Sequence, residues 1–237
     1  MTVAAERRGL AVGLAVVIAL GLAALVPPAR LPLLIALGIG VLLAPRDATW
    51  RWALAAGVPV ALVMAWGGLL GERLVPEILA CAEPLSPKAW ERALQALLVI
   101  GVIALLARLL GTRVRDLGLR RPTRAEIVLG LLAVVVVPIP ALYIGALLAE
   151  PFFGRMDLDL AQPAAIVPAL TLAIANGTME ELAYRGALMA WLSRAAGPAV
   201  GLVGQAVIFG LAHTGSDFTG PQLPVVLFIM AAGLVAG

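Results

Sequence analysis

"PAAIVPALTLAIANGTMEELAYRGALMAWLSR", residues 163–194, reads as one apolar helix carrying Glu180, Glu181 and Arg185 near its middle. At 1.5 Å per residue it is long enough to cross a hydrocarbon core of ~30 Å. An ionisable side chain inside such a span costs at least ~2.5–3.5 kcal/mol, so it faces a cavity or a partner and marks function. Two abutting glutamates followed by an arginine make this stretch the focus of the chain.

The surroundings support a membrane setting. Of 237 residues 62% are hydrophobic and 13% charged, against roughly 45–50% apolar residues in soluble domains. Mean hydropathy is +1.04. Apolar segments at 9–26, 31–44, 52–70, 93–110, 125–149, 163–194, 197–213 and 221 to the end predict an all-α, polytopic transmembrane helical bundle of about eight spans. The segment 31–44 is short, covering ~21 Å, and is expected either to lean on snorkelling by Arg30 and Arg46 or to be re-entrant. Arg7 and Arg8 before an apolar stretch mimic a signal peptide, but the further apolar segments favour an uncleaved first span. Residues 1–110 contribute spans without a motif; residues 111–237 hold the motif-bearing core. The single cysteine, Cys81, excludes an intrachain disulfide and a cysteine-based zinc site.

Basic residues set the expected orientation. The connector "RLLGTRVRDLGLRRPTR", residues 108–124, contains Arg108, Arg113, Arg115, Arg120, Arg121 and Arg124, which places the 111–124 loop and the N-terminus in the cytoplasm. With eight spans, Arg7, Arg8, Arg46, Arg51, those six, Arg185 and Arg194 lie inside, 12 of the 17 basic residues. Loops that fix topology are basic for that reason alone, so neither this run nor the net charge of +3 calls for a nucleic-acid partner.

Glu180 lies sixteen residues before Ala196, and His213, the one histidine, sixteen after Gly197. If the turn at Ala196, Gly197 and Pro198 joins two antiparallel helices, both side chains sit about 24 Å from it and are level. Glu180 and Tyr184 share a helical face, as do Glu181 and Arg185, while adjacent glutamates point about 100° apart. Glu181 and Arg185 have the order suited to an ion pair, which leaves Glu180 as a general base toward water, facing the imidazole. Phe209 shares a face with His213 and either walls the pocket or packs. A structural reading stands beside this one: Asn176–Gly177 is a turn signal and Thr178 with Glu181 a capping box, so the helix is expected to break and restart here with Glu181 as a cap. "HTGSD", residues 213–217, holds the residue types of a serine triad at a spacing too tight to converge, and reads as a loop.

"EELAYRG" (Glu180 to Gly186) followed by "FGLAH" (Phe209 to His213) resembles the Glu-Glu-x-x-x-Arg and Phe-x-x-x-His motifs of the CAAX protease and bacteriocin-processing family of intramembrane endopeptidases. The resemblance extends over residues 115–237, with "LGLRRPT" similar to that family's lead-in. It implies hydrolysis of a peptide bond of a membrane-associated or lipidated protein or peptide, with Glu180 polarising the water and His213 holding the water or a metal. Glu181 and Arg185 would brace the site, with Phe209 and Tyr184 supporting it. A divalent metal, zinc, on Glu180 and His213 is the cofactor it suggests, although one histidine and two glutamates make a poor zinc site. The family's third motif, a histidine followed at spacing four by asparagine, has no counterpart before Gly237. The core is therefore expected to be incomplete, and the 237-residue form to fold with little proteolysis. Two other classes fit parts of the pattern: a non-catalytic membrane scaffold or immunity factor, and a small-solute transporter, against which the absence of repeated halves argues.

Overall fold

The computed structural model describes residues 3–46, 48–66, 85–119, 121–136, 163–214 and 222–236. Among them every regular element is helical. The elements are α1 (Val3–Leu25), a 3-10 turn (Pro27–Ala29), α2 (Arg30–Leu43), α3 (Trp50–Ala65), α4 (Leu85–Leu110), a second 3-10 turn (Val114–Leu117) and α5 (Arg124–Val136). Then come α6 (Pro163–Glu180), a π-helical segment (Glu181–Leu188), α7 (Met189–Ala196), α8 (Pro198–Ala212) and α9 (Gln222–Ala236). The C-terminal half of the expected segment 125–149 lies outside the described residues.

Helix α3 is the core. Ala53, Ala55, Ala56, Gly57, Val58, Pro59, Val60, Ala61 and Leu62 are all buried, so the helix is apolar all round and neighbours cover it on every side. Small side chains let those neighbours come close: a Cβ at Gly57 would meet Leu37 of α2 at 2.9 Å and Val16 of α1 at 3.0 Å. Around α3 pack α1, α2, α4, the π-helical segment and α7, while α4 runs along α6 and α8 lies between α1, α7 and α9. The exterior is apolar. Leu10, Leu14, Ile18, Leu22 and Leu25 form an exposed stripe on α1, and Leu94, Leu97, Leu98, Leu105 and Leu109 another on α4. Exposure on that scale is a liability in water and ordinary in lipid. Two helices, Ala4–Leu25 and Ala89–Leu110, each 22 residues with mean hydropathy 2.2 and 2.4, are long and apolar enough to cross a bilayer; Pro27–Leu43, Trp50–Ala65, Pro198–Ala212 and Leu223–Val235 are shorter apolar helices.

Two expectations are corrected. No break occurs at Asn176–Gly177, because α6 runs through both and Thr178 is an interior helical residue. A mid-helix glycine costs only ~1 kcal/mol, small against the packing of α4 along this helix. Glu181 makes no capping bond and instead opens the π-helical segment. Arg30 does not reach outward at all. Its Nε donates to the Ala23 carbonyl (3.1 Å) and its Nη2 to the Ala24 carbonyl (3.0 Å), satisfying the last turn of α1.

Candidate active site

The helical hairpin forms because Gly197 supplies a positive φ of 97° between α7 and α8, and Pro198 starts the next helix at a position needing no amide donor. Glycines then bring the helices together. Gly201 lies on Ser193, and a Cβ at Gly204 would stand 3.0 Å from Leu192. Further along, the Phe209 ring meets Tyr184 edge-on, centroids 5.0 Å apart. Residues forward on α8 are thus matched by residues backward on the partner helix as far as Tyr184 and Phe209.

Of the residues singled out in the sequence, Tyr184, Phe209, His213, Arg185 and Glu181 form one chain of contacts. Phe209 stands at its centre, edge-on to Tyr184 on one side and to His213 on the other, with centroids 4.8 Å apart in the second pair. The Arg185 guanidinium carbon sits 5.5 Å from the Phe209 centroid, within cation–π reach. Arg185 also pairs with the Glu181 carboxylate, one turn before it. The side chain of Arg185 is 21% exposed and that of Glu181 58%, so this pair lies at the edge of the site rather than sealed within it. The Arg185 Nε is buried and has no hydrogen-bond partner among the described residues.

His213 ends α8. Its Nδ1 lies 2.7 Å from the Phe209 carbonyl oxygen. A carbonyl only accepts, so Nδ1 carries a proton and donates it there. Glu180 is the last residue of α6 and is half-buried. Among the described residues its carboxylate has neither a hydrogen bond nor an ion pair, while Glu181 is committed to Arg185. The two adjacent glutamates are therefore in different chemical situations.

The π-helical segment is what the sequence reading missed. The Met189 amide donates to the Tyr184 carbonyl, five residues back, as well as to Gly186, widening the helix where the glutamates leave it. Its inner face, Ala183, Tyr184, Gly186, Ala187 and Leu188, is buried. The Val114–Leu117 turn packs on this segment, and a Cβ at Gly186 would meet the Leu117 carbonyl oxygen at 3.3 Å. The arginine-rich connector thus touches the candidate site through its one buried leucine, Leu117. No local pattern announces a π-turn; the glycine at 186 is the nearest signal.

Among the described residues no group of three His, Cys, Asp or Glu side chains gathers to hold an ion, so this part of the chain does not by itself make the three-ligand set a catalytic zinc needs.

Residues 162–237 match the family model described as "Type II CAAX prenyl endopeptidase Rce1-like". The matched region contains Glu180, Glu181, Tyr184, Arg185, Phe209 and His213, and supports a peptidase of that type. It takes in α6 to α9 and leaves out residues 115–161, over which the motif resemblance was also drawn. No curated protein and no solved structure matches the chain.

Proposed function

We propose that the protein is a multi-pass intramembrane endopeptidase in which Glu180 activates water to cleave a peptide bond of a membrane-associated or lipidated protein. The observation that supports this reading is the row of rings across the hairpin, in which Tyr184, one turn after Glu180, meets Phe209 and Phe209 meets His213. Water held between the Glu180 carboxylate and the His213 Nε2 gives up a proton to Glu180 as its oxygen attacks the carbonyl carbon. The tetrahedral intermediate then collapses. The carbon–nitrogen bond breaks, and the proton passes from Glu180 to the departing amine, so one water is consumed and two peptide ends are released. Phe209 holds the imidazole by its carbonyl and its ring, and the Arg185 guanidinium lies within cation–π reach of that ring.

Eight crossings fit this reading, with α1 and α4 as full spans and the shorter apolar helices packed among them. Cytoplasmic placement of the 111–124 loop follows from its arginines. A metal would be held by Glu180 and His213, adding Lewis-acid polarisation of the water, and no step above depends on it.

The test is cleavage of a lipidated reporter peptide by the complete gene product in proteoliposomes, compared with Glu180→Gln and His213→Ala. Loss of at least about a hundredfold in each variant supports the proposal, since a positioned general base is worth ~10²–10⁴ in rate. Unchanged cleavage in Glu180→Gln refutes it. If neither form cleaves any peptide while the Glu181 and Arg185 variants still fold poorly, the scaffold reading takes its place.

A further inference from the structure

The connector between α4 and α5 is folded, and its folding uses both of its acids. Gly111 and Gly118, with φ of 65° and 78°, end α4 and close the Val114–Leu117 turn. In that turn the Asp116 Oδ2 accepts from the Arg113 amide (3.1 Å), and its Oδ1 stands 3.7 Å from the Arg115 Nε. At the start of α5 the Glu126 Oε2 accepts from the Thr123 amide (2.7 Å) and hydroxyl (3.0 Å), and the Thr123 Oγ1 accepts from the Glu126 amide (3.3 Å). Both carboxylates between Arg108 and Glu126 thus hold backbone. Arg108, Arg113, Arg121 and Arg124 are exposed and have no ion pair among the described residues, and the Arg115 side chain is 66% exposed.

The arginines at the two ends of the connector continue apolar rows. On α4 the exposed Leu97 and Leu105 lead to the exposed Arg108. On α5, Arg124, Val128 and Leu132 follow at spacing four, and residues 124–132 are exposed on every side. In a bilayer such a row meets acyl chains, and Arg124 stands about 12 Å along the helix from Leu132, at its boundary end. Membrane orientation requires only that positive charge lie on one side. It does not require that neighbouring carboxylates be engaged elsewhere or that guanidinium groups stand at the ends of lipid-facing rows. A soluble polyanion would use the arginines and leave the rows without a role.

We propose that Arg108, Arg113, Arg115, Arg121 and Arg124 form an interfacial site for the phosphate of an anionic phospholipid whose acyl chains lie along the exposed rows of α4 and α5. The site stands apart from the hairpin and does not depend on whether the hairpin cleaves peptides. Guanidinium forks match phosphate oxygens, and a juxtamembrane cluster of about four to eight basic residues is the composition that attracts anionic lipid. Leu117 seats the same turn on the π-helical segment, so the site adjoins the motif helix.

The test is native mass spectrometry of the complete gene product in detergent with equal amounts of phosphatidylglycerol and phosphatidylcholine. Phosphatidylglycerol should be retained at least about tenfold over phosphatidylcholine. Arg113→Gln and Arg121→Gln should each lower that preference about fivefold. Arg7→Gln, which removes the same charge from the exposed start of α1, should leave it within about twofold. Arg113→Lys preserves the charge that sets topology and should keep only part of the preference, because an ammonium lacks the fork. A photoactivatable phosphatidylglycerol should crosslink to peptides within residues 108–124 of the unsubstituted protein, a readout that needs no variant. Equal retention of the two lipids, an equal loss in Arg7→Gln, or crosslinks confined to other segments overturns the site. Displacement of the lipid by an equal concentration of inorganic phosphate or of a short RNA assigns the arginines to a soluble anion and overturns it likewise.

Discussion

The His213 Nδ1 donates to the carbonyl of Phe209 while the Phe209 ring stands edge-on to the imidazole, so one residue holds the other through both its backbone and its ring. Phe209 also bridges to Tyr184 and Arg185 on the facing helix. Phe209→Leu keeps the carbonyl and most of the volume but removes the ring edges. We expect less than about 1.5 kcal/mol of lost stability, as for other volume-conserving apolar exchanges. Cleavage should fall about tenfold, through kcat rather than KM, because a ring free to tilt presents Nε2 correctly less often. A Phe209→Leu variant with full turnover would reduce the aromatic row to packing.

Gly186 links the arginine-rich connector to the motif helix. A methyl group there would press on the Leu117 carbonyl at 3.3 Å and stand 3.6 Å from the Glu181 carbonyl. Gly186→Ala forces the Val114–Leu117 turn outward by a few tenths of an ångström, and Gly186→Val forces it further. Opposing this, alanine favours helix by ~0.8–1.0 kcal/mol. Gly186→Ala should therefore be close to neutral in melting temperature, and Gly186→Val should cost ~1–3 kcal/mol by overpacking. Proteolytic nicking near residue 119 should increase in the valine variant only, which limited proteolysis with mass spectrometry would read.

Orientation is open to a direct measurement. With Cys81 replaced by serine, a cysteine introduced at the exposed Arg121 should react with a membrane-impermeant maleimide only after the cytoplasmic face is opened. Labelling in intact cells would reverse the topology.

The helical class and the hairpin turn were legible in the sequence for a simple reason. Hydrophobic run length and helical rise are local quantities, and the turn falls at Gly197, where the backbone takes a positive φ. The Glu181–Arg185 pair was legible for the same reason, as an i to i+4 relation. What escaped depends on tertiary packing. Asn176 and Gly177 carry turn chemistry, yet α4 packs along this helix and holds it straight. Arg30 looked like a residue reaching for the membrane boundary, whereas the carbonyls it satisfies belong to the helix before it and to α3. The π-helical segment, in which Tyr184 and Leu188 are buried, has no residue pattern that distinguishes it from an α-helix.

The adjacent glutamates should separate cleanly by mutation. Glu180 has no ion pair or hydrogen bond among the described residues, so Glu180→Gln removes a base without disturbing a partner, and folded yield should match the parent. Glu181→Gln leaves Arg185 charged, with its Nε already unpartnered and its guanidinium resting on Phe209. A sealed pair broken in this way costs ~3–5 kcal/mol and a solvated one ~0–1. With Glu181 more than half exposed and Arg185 about one-fifth exposed, the expected loss lies between, about 1–3 kcal/mol. The double variant Glu181→Gln with Arg185→Met should recover part of that stability, since the orphaned charge is gone. Thermal melts in detergent and cleavage in proteoliposomes together decide it. Stability should fall and partly return across the Glu181 and Arg185 series, while cleavage vanishes with Glu180 alone at full stability. Identical behaviour of the two single glutamate variants would mean that the hairpin does not divide base and brace between neighbouring carboxylates.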